Sequence, residues 1–569
     1  MTRTQLLRRG AFAAATAAIG AAFAAPTTPA ANPDDRAAYA IIDGERAEVP
    51  DIAMGEAAMI EAIIEEGSQR NRVMDHLTFL CDEIGPRLTG SSNVERANHW
   101  VAQQFRAWGL ENVHLDEWGE IGVRFDRGAS LGKVVRGRQL DDEEGNAYTD
   151  YLTLRDLEFT TLAWSPGTAG PVRGRVVKMP ADEDEYWEVK DTLKGAWVLL
   201  QAPQRQRGIR GSSGSMSGRL EQLMAARAKV AAGEVDVEDL PLFERVAFDG
   251  IAGFVSTSRD DRVWTTSARG WRDFSYYDLP KDVIIDVTTE DYDYVNSRVF
   301  DGEEIELVFD LRRHFTEGPI KVYNTVGEIR GTEKPDEIVI VSAHLDSWNG
   351  PGSQGTVDNG TGSSVTMEAA RILATAGAKP NRTIRFILWT GEEQGLLGSA
   401  DYVRRLKESG ELERVSAVFV DDGGTNYEGG LTGTVEMVEW LAAATAPVNG
   451  VFYSEVDGQH LDVNVKTAET FPGRGGSDHA SFVRSKVPGF FWDEVGRANY
   501  RHAWHTQFDR LDQAIEEYLI QSSTCAAVTA YNIACAPGLL PRPAAWLETE
   551  SEGEGEKSEE QKEEIASGG

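Results

Sequence analysis

The chain has 569 residues, with 57 lysines and arginines against 92 aspartates and glutamates, a formal net charge of -35 at pH 7 and a pI near 4.7. That length predicts two or three domains with a core large enough to need no disulfide staples. The acidity excludes nucleic acid as a partner, because a phosphate backbone would be repelled. The three cysteines, Cys81, Cys525 and Cys535, exclude both a disulfide framework and a zinc knuckle, so any metal must rest on histidine and carboxylate.

The N-terminus carries Arg3, Arg8 and Arg9, then an Ala-rich apolar run from Gly10 to Ala25, then the small residues and prolines of AFAAPTTPA. This is the layout of an export signal over residues 1–30, with the Arg8-Arg9 pair matching the twin-arginine route in part and the ordinary secretory route nearly as well served. No later uncharged apolar run of about 18 residues is present, so no membrane span is expected and the mature protein is expected in the periplasm or outside the cell. A polar linker over 31–52 leads into the first part of a catalytic domain over 53–120. There the spacing of Ile60, Ile63, Ile64, Val73, Leu77 and Leu80 predicts one helix over 53–81. A second helix is predicted over 93–108, closed by Gly109, and the stretch ENVHLDEW reads as a short strand.

Over 121–320 the texture changes to short β runs separated by turns (GPVRGRVVKM, KGAWVLLQAP, IAGFVSTS, DVIIDVTT, EIELVFDLR), which predicts an inserted β-rich domain with residues 211–246 as an embellishment. From 321 to 545 strands that read as continuous apolar runs alternate with amphipathic helices, up to a closing helix over 511–536. This pattern implies an α/β three-layer sandwich with a mostly parallel central sheet. Residues 546–569 form a low-complexity acidic tail that cannot bury apolar area and is expected to be disordered.

Ligands of such sheets sit beyond the carboxyl ends of the strands. The strand before His344-Leu-Asp346, the strand before Glu392-Glu393 and the strand before Asp421-Asp422 all deliver acidic groups or histidine to that edge, with Asp358 in a Gly-rich loop and His505 in HAWHTQFD. Acidic groups gathered on one edge of a buried sheet repel each other and lose hydration unless cations neutralise them. Two zinc ions sharing one carboxylate need five protein ligands, and His344, Asp358, Glu393, Asp422 and His505 supply that number. Asp358 is taken as the bridge, His344 with Asp422 as one site and Glu393 with His505 as the other. Asp346 is the expected carboxylate for fixing an imidazole tautomer, and Glu392, adjacent to a ligand without being needed as one, is the expected general base in amide hydrolysis by metal-activated water.

The stretches SAHLDSWNGPGSQGTVDNGTG, LWTGEEQGLLGS, VFVDDGG, GGSDHASF and HTQFDRLD resemble the di-zinc exopeptidase family of bacterial leucyl aminopeptidases and carboxypeptidase Q, most closely its carboxypeptidase Q branch through GPRLTGS, HLDSW and the run from Trp389 to Gln394. The resemblance covers residues 72–537 and implies a protease-associated domain for the inserted region, two zinc ions per chain, a peptide substrate, the same five ligands and the same base. The choice of Asp422 over Asp421 rests mainly on this resemblance, because the family ligand precedes a small residue and glycine. Asp478 and His479 are expected close to the site. A homodimer is compatible with the sequence. The rival readings are an aminopeptidase of the same family, a receptor-like protein without activity and a glutaminyl-cyclase-like acyltransferase. Arg474, Arg497 and Arg501 are candidate partners for a substrate carboxylate and Asp493 or Glu494 for an ammonium, which leaves the direction of cleavage open.

Overall fold

The computed structural model describes residues 38–201, 215–472 and 475–546. The predicted export signal, nearly all of the acidic tail, the start of the embellishment and Arg474 lie outside the described residues.

A large mixed sheet and a smaller second sheet organise the chain, an α/β architecture. In the large sheet the strands Gly489–Phe491, Val415–Val420, Lys334–His344 and Arg382–Trp389 lie side by side and parallel. The long strand Glu306–Ile329 continues the sheet antiparallel to Arg382–Trp389. The apolar strands are buried on both faces, and alternate residues serve different cores. Val339, Val341, Phe386, Leu388 and Phe419 pack with Leu373 and Val528 of the helices Thr361–Ala376 and Glu516–Cys535. Ile338, Ile340, Ile387, Trp389, Val418 and Val420 pack with Tyr402, Val403 and Leu406 of the helix Leu397–Ser409. Each fully buried side chain of this kind contributes about 1.5–3 kcal/mol. Sandwiched this way, the parallel strands end level: His344 pairs with Trp389 and Ser342 with Val420.

Four sequence expectations change in the structure. The predicted helix over 53–81 is broken into Ala57–Gln69 and Val73–Thr78, the latter running on through Phe79–Ile84, because Asn71 Oδ1 accepts the Val73 N–H at 2.9 Å and starts a new helix. Part of the predicted linker is a hairpin, Ala40–Ile42 with Glu45–Ala47, that joins the second sheet beside Asn464–Ala468. The short strand at ENVHLDEW is the beginning of a 31-residue strand, Glu111–Asp141, which pairs along nearly all of Glu306–Ile329. Its glycines hid it from the sequence pattern; a Cβ at Gly122 would lie 2.5 Å from the Phe274 carbonyl oxygen, and one at Gly132 2.7 Å from the Phe309 ring. The closing helix begins later than expected, at Glu516, after a separate turn Leu511–Gln513.

The strands Val172–Lys178, Trp197–Leu199, Gly253–Thr257 and Ile284–Val287 extend the large sheet from the amino end of Glu306–Ile329. The helices Glu183–Leu193, Met216–Ala231 and Thr289–Phe300 lie between these segments in sequence. Ile121 and Ile320, at the two predicted limits of the inserted region, are direct partners in the long ribbon. Among the described residues no helix is long and apolar enough to cross a membrane.

Candidate metal centre

The level strand ends bring the polar residues together. His344 closes its strand and is fully buried, with its carbonyl accepting from Ser363 Oγ at 2.7 Å. Its Nε2 lies 3.0 Å from Asp422 Oδ1, 3.3 Å from Asp358 Oδ1 and 3.9 Å from Glu392 Oε2. His505, in the loop after Tyr500–Ala503, has its Nε2 3.0 Å from Glu393 Oε2 and 3.3 Å from Asp358 Oδ2. Two donor clusters result, His344 with Asp358 and Asp422, and Asp358 with Glu393 and His505, and Asp358 belongs to both.

The loop over 345–355 is fixed from behind by Arg87, a fully buried arginine whose Nε donates to the Leu345 carbonyl at 2.7 Å and whose Nη2 donates to that of Gly355 at 2.6 Å. Trp348 N–H in this loop donates to Glu393 Oε1 at 3.1 Å. Asp358 sits in the turn Thr356–Gly360, and the preceding Val357 N–H is held by Asp509 Oδ1 at 2.5 Å. His505 has a left-handed backbone (φ +60°), a strained conformation for a non-glycine residue, and its carbonyl accepts from Thr265 N–H at 3.0 Å. Residues of the inserted region therefore help hold His505.

Asp346 acts differently from expectation. The His344 Nδ1 faces the Asp346 backbone carbonyl at 2.9 Å, whereas its carboxylate is 3.7 Å away. The carboxylate accepts from Thr89 Oγ1 at 2.7 Å and faces the N–H groups of Glu392 and Glu393 at 3.4 Å each. It orients the Glu392-Glu393 turn, and the carbonyl sets the imidazole. Asp421, the alternative to Asp422, turns away from His344 toward Glu494, and burial raises its carboxyl to about 7.

The electrostatics call for cations. Asp358, Glu392, Glu393 and Asp422 lie together, and among the described residues no lysine or arginine bonds any of them. Asp358 Oδ2 is buried, and among the described residues it accepts no hydrogen bond. Burial, with the Asp358 charge added, raises Glu393 to about 7; burial likewise pushes Glu392 well up, against the opposing pull of His344. Burial pulls His505 down, but Glu393 and Asp358 outweigh it and lift the imidazole to about 10. Carboxylate and imidazole donors in two sets of three, linked by one carboxylate, are the donor chemistry of a pair of zinc-sized cations.

A cavity of about 400 Å³ opens on this centre, within the range of small-molecule sites. Tyr500, Trp504, Gly475, Gly476 and Leu396 line it, and so does Arg484, an exposed side chain that sequence reasoning missed. Among the described residues Arg484 has no acidic partner. No motif marks it; it follows the short helix His479–Val483, and only the fold brings it to the cavity. The predicted recognition residues are engaged elsewhere. Arg497 pairs with Asp457 and Glu517, Asp493 with Lys466, and Glu494 accepts the Gly423 N–H. Arg501 does not line the cavity. Asp478 and His479 are buried beside it, and burial lowers His479 to about 4.

Comparisons with known proteins bear on the family and the fold. Residues 324–530 match the model of peptidase family M28. The chain is 26% identical over 483 residues to carboxypeptidase Q of Mus musculus, covering 84% of this chain and 88% of that protein. Carboxypeptidase Q of Homo sapiens is 26% identical over 488 residues, with the same coverage. Among solved structures, the peptidase M28 precursor of Shewanella amazonensis SB2B superposes with a TM-score of 0.54 at 21% identity, covering 85% of this chain and 98% of that one, a likeness of fold.

Proposed function

Because this chain is a metalloexopeptidase of peptidase family M28, we propose that it is an exported zinc enzyme of carboxypeptidase Q type that hydrolyses dipeptides or short peptides from the carboxyl end. The observation that carries the two-metal reading is Asp358, whose two oxygens face different histidines, each at 3.3 Å. In this reading His344 and Asp422 would hold one zinc ion and Glu393 and His505 the other, with Asp358 within reach of both. The inserted region is read as a protease-associated domain, on its likeness of sequence to that branch.

Zinc at these positions would acidify water and polarise the scissile carbonyl. The remaining tasks fall to the chain. Glu392 is a carboxylate beside the cluster, and among the described residues no backbone N–H holds its oxygens, so it can take a proton from water and deliver it to the departing amine. Trp348 N–H holds Glu393 at one oxygen and so keeps the other directed at His505. Arg484 supplies the cation that a terminal carboxylate requires, and this favours carboxyl-end recognition over amino-end recognition.

The test compares free dipeptides with N-blocked and C-amidated versions, together with zinc content of the purified enzyme. The reading expects two zinc ions per chain, cleavage of free dipeptides and poor cleavage of amidated ones. Cleavage of amidated but not N-blocked peptides would mark an aminopeptidase instead. Export is tested by N-terminal sequencing of the mature protein, with processing expected near residue 30.

A further inference from the structure

A second polar cavity of about 370 Å³ lies outside the metal centre, lined by Asn93, Arg127, Ser130, Asn349 and Ser353 among others. Arg127 on Glu111–Asp141 and Arg313 on Glu306–Ile329 are direct partners across the long ribbon, next to a register shift between Leu311 and Arg313. Both are half-buried, and both reach the same neutral group: Arg127 Nη1 donates to Thr161 Oγ1 at 2.6 Å and Arg313 Nη2 donates to it at 2.9 Å. Like charges directly opposite on paired strands are destabilising, and a charge removed from water without a counter-charge is costly.

Among the described residues no acidic residue bonds either member of the pair. Among the described residues neither arginine makes a salt bridge, and each is drawn down by burial, Arg313 to about 10 and Arg127 well below its ordinary value with Arg313 adding repulsion. Asp126 also lines the cavity, with its Oδ1 turned to the Ser92 N–H at 2.8 Å and the Ser92 hydroxyl at 2.9 Å, and among the described residues it bonds neither guanidinium. The other guanidinium contacts are neutral: Arg127 Nε to Asn349 Oδ1 at 3.3 Å, Arg127 Nη2 to the Thr161 carbonyl at 2.9 Å, and Arg313 Nη1 to Ser130 Oγ at 2.9 Å and the Arg312 carbonyl at 2.7 Å. Arg313 Nε is buried without a partner. A guanidinium has five N–H donors, so donors remain on both side chains.

We propose that this cavity binds one small inorganic anion, a halide or a tetrahedral oxyanion, against Arg127, which lines it, and that the anion so supplies the counter-charge missing from Arg127 and the Arg313 paired behind it. The bound anion would also fasten the ribbon to the loop over 345–355, because Arg127 already bonds Asn349 in that loop. The site is separate from the metal centre, so its occupancy is read without reference to catalysis.

The experiment uses the full-length, metal-loaded protein in a buffer whose anion is bulky, such as gluconate, at constant ionic strength. Thermal unfolding is followed during titration with chloride and, separately, with sulfate. A saturable rise in Tm of about 2–4 °C is expected from at least one of them at a hundredfold excess over its Kd. A response to chloride alone identifies a halide site, and one to sulfate alone an oxyanion site. The saturable rise should vanish in Arg127→Met and in Arg313→Met; if Arg127→Met does not fold, Arg313→Met decides. Absence of a saturable response in the wild type, or an unchanged response in the variants, would overturn the proposal.

Discussion

Trp348 N–H donates to Glu393 Oε1 at 3.1 Å, and among the described residues no corresponding donor holds the neighbouring Glu392. One carboxylate of the pair is anchored with its second oxygen 3.0 Å from His505 Nε2, while the other is left adaptable at the cavity wall. That asymmetry is what the proposed roles, ligand for Glu393 and base for Glu392, require of two adjacent identical residues.

Glu392→Gln should keep the metal content of the wild type and lose about 10²–10⁴ in kcat, the range of general-base catalysis. Glu393→Gln should lose zinc first and activity as a consequence. Elemental analysis beside steady-state kinetics separates the two; near-wild-type kcat in Glu392→Gln would remove it as the base.

Arg484→Met should raise KM for free dipeptides by about tenfold or more, equivalent to losing at least roughly 1.4 kcal/mol of charge-assisted hydrogen bonding. C-amidated peptides should show no such penalty. Equal KM changes for both substrates would mean that Arg484 does not meet the terminal carboxylate.

Chelation should lower Tm, and more strongly as pH rises. In the metal-free fold Glu393 moves up from 4.5 to about 7, so its stabilising contribution is complete below about pH 4 and is lost as pH rises through 7. His505, raised from 6.5 to about 10, has the same sign at higher pH. Asp358 is held low and contributes in the opposite sense only in acid. The metal-free protein should therefore lose stability steadily from pH 5 to 9, while the zinc-loaded protein stays nearly level; parallel curves would contradict the neutralising role given to the cations.

Arg87→Met should destabilise the protein by about 2–4 kcal/mol, because the buried carbonyls of Leu345 and Gly355 lose their donor. The loop carrying Asp346 and Trp348 should loosen with it, so zinc affinity should fall although Arg87 touches no proposed ligand. Denaturant unfolding and competition with a zinc chelator measure the two effects.

The central sheet was legible because its strands are short unbroken apolar runs, and a strand packed on both faces admits little else. The helix over 93–108 was legible from its terminal signals, with Ser91 accepting the Val94 N–H and Gly109 at φ +85°. Glu111–Asp141 was not, since its glycines fit against Phe274 and Phe309, neighbours more than 140 residues away in sequence. The break near Arg70 was hidden by an apolar rhythm that continues across it, while Asn71 restarts the helix.

By itself the sequence marked the candidate donors: His344, Glu393 and Asp422 follow buried strands recognisable from local pattern, while Asp358 lies in a Gly-rich loop and His505 in a late loop. Only the tertiary structure decided how those donors divide: Asp358 faces both histidines, Asp421 turns toward Glu494, and the Asp346 carbonyl meets the imidazole that its carboxylate was expected to hold. It also decided that Arg484 reaches the cavity and that Arg127 faces Arg313. Side-chain direction and cross-strand partnership depend on register and loop packing between distant segments, and neither leaves a mark in the order of residues along the chain.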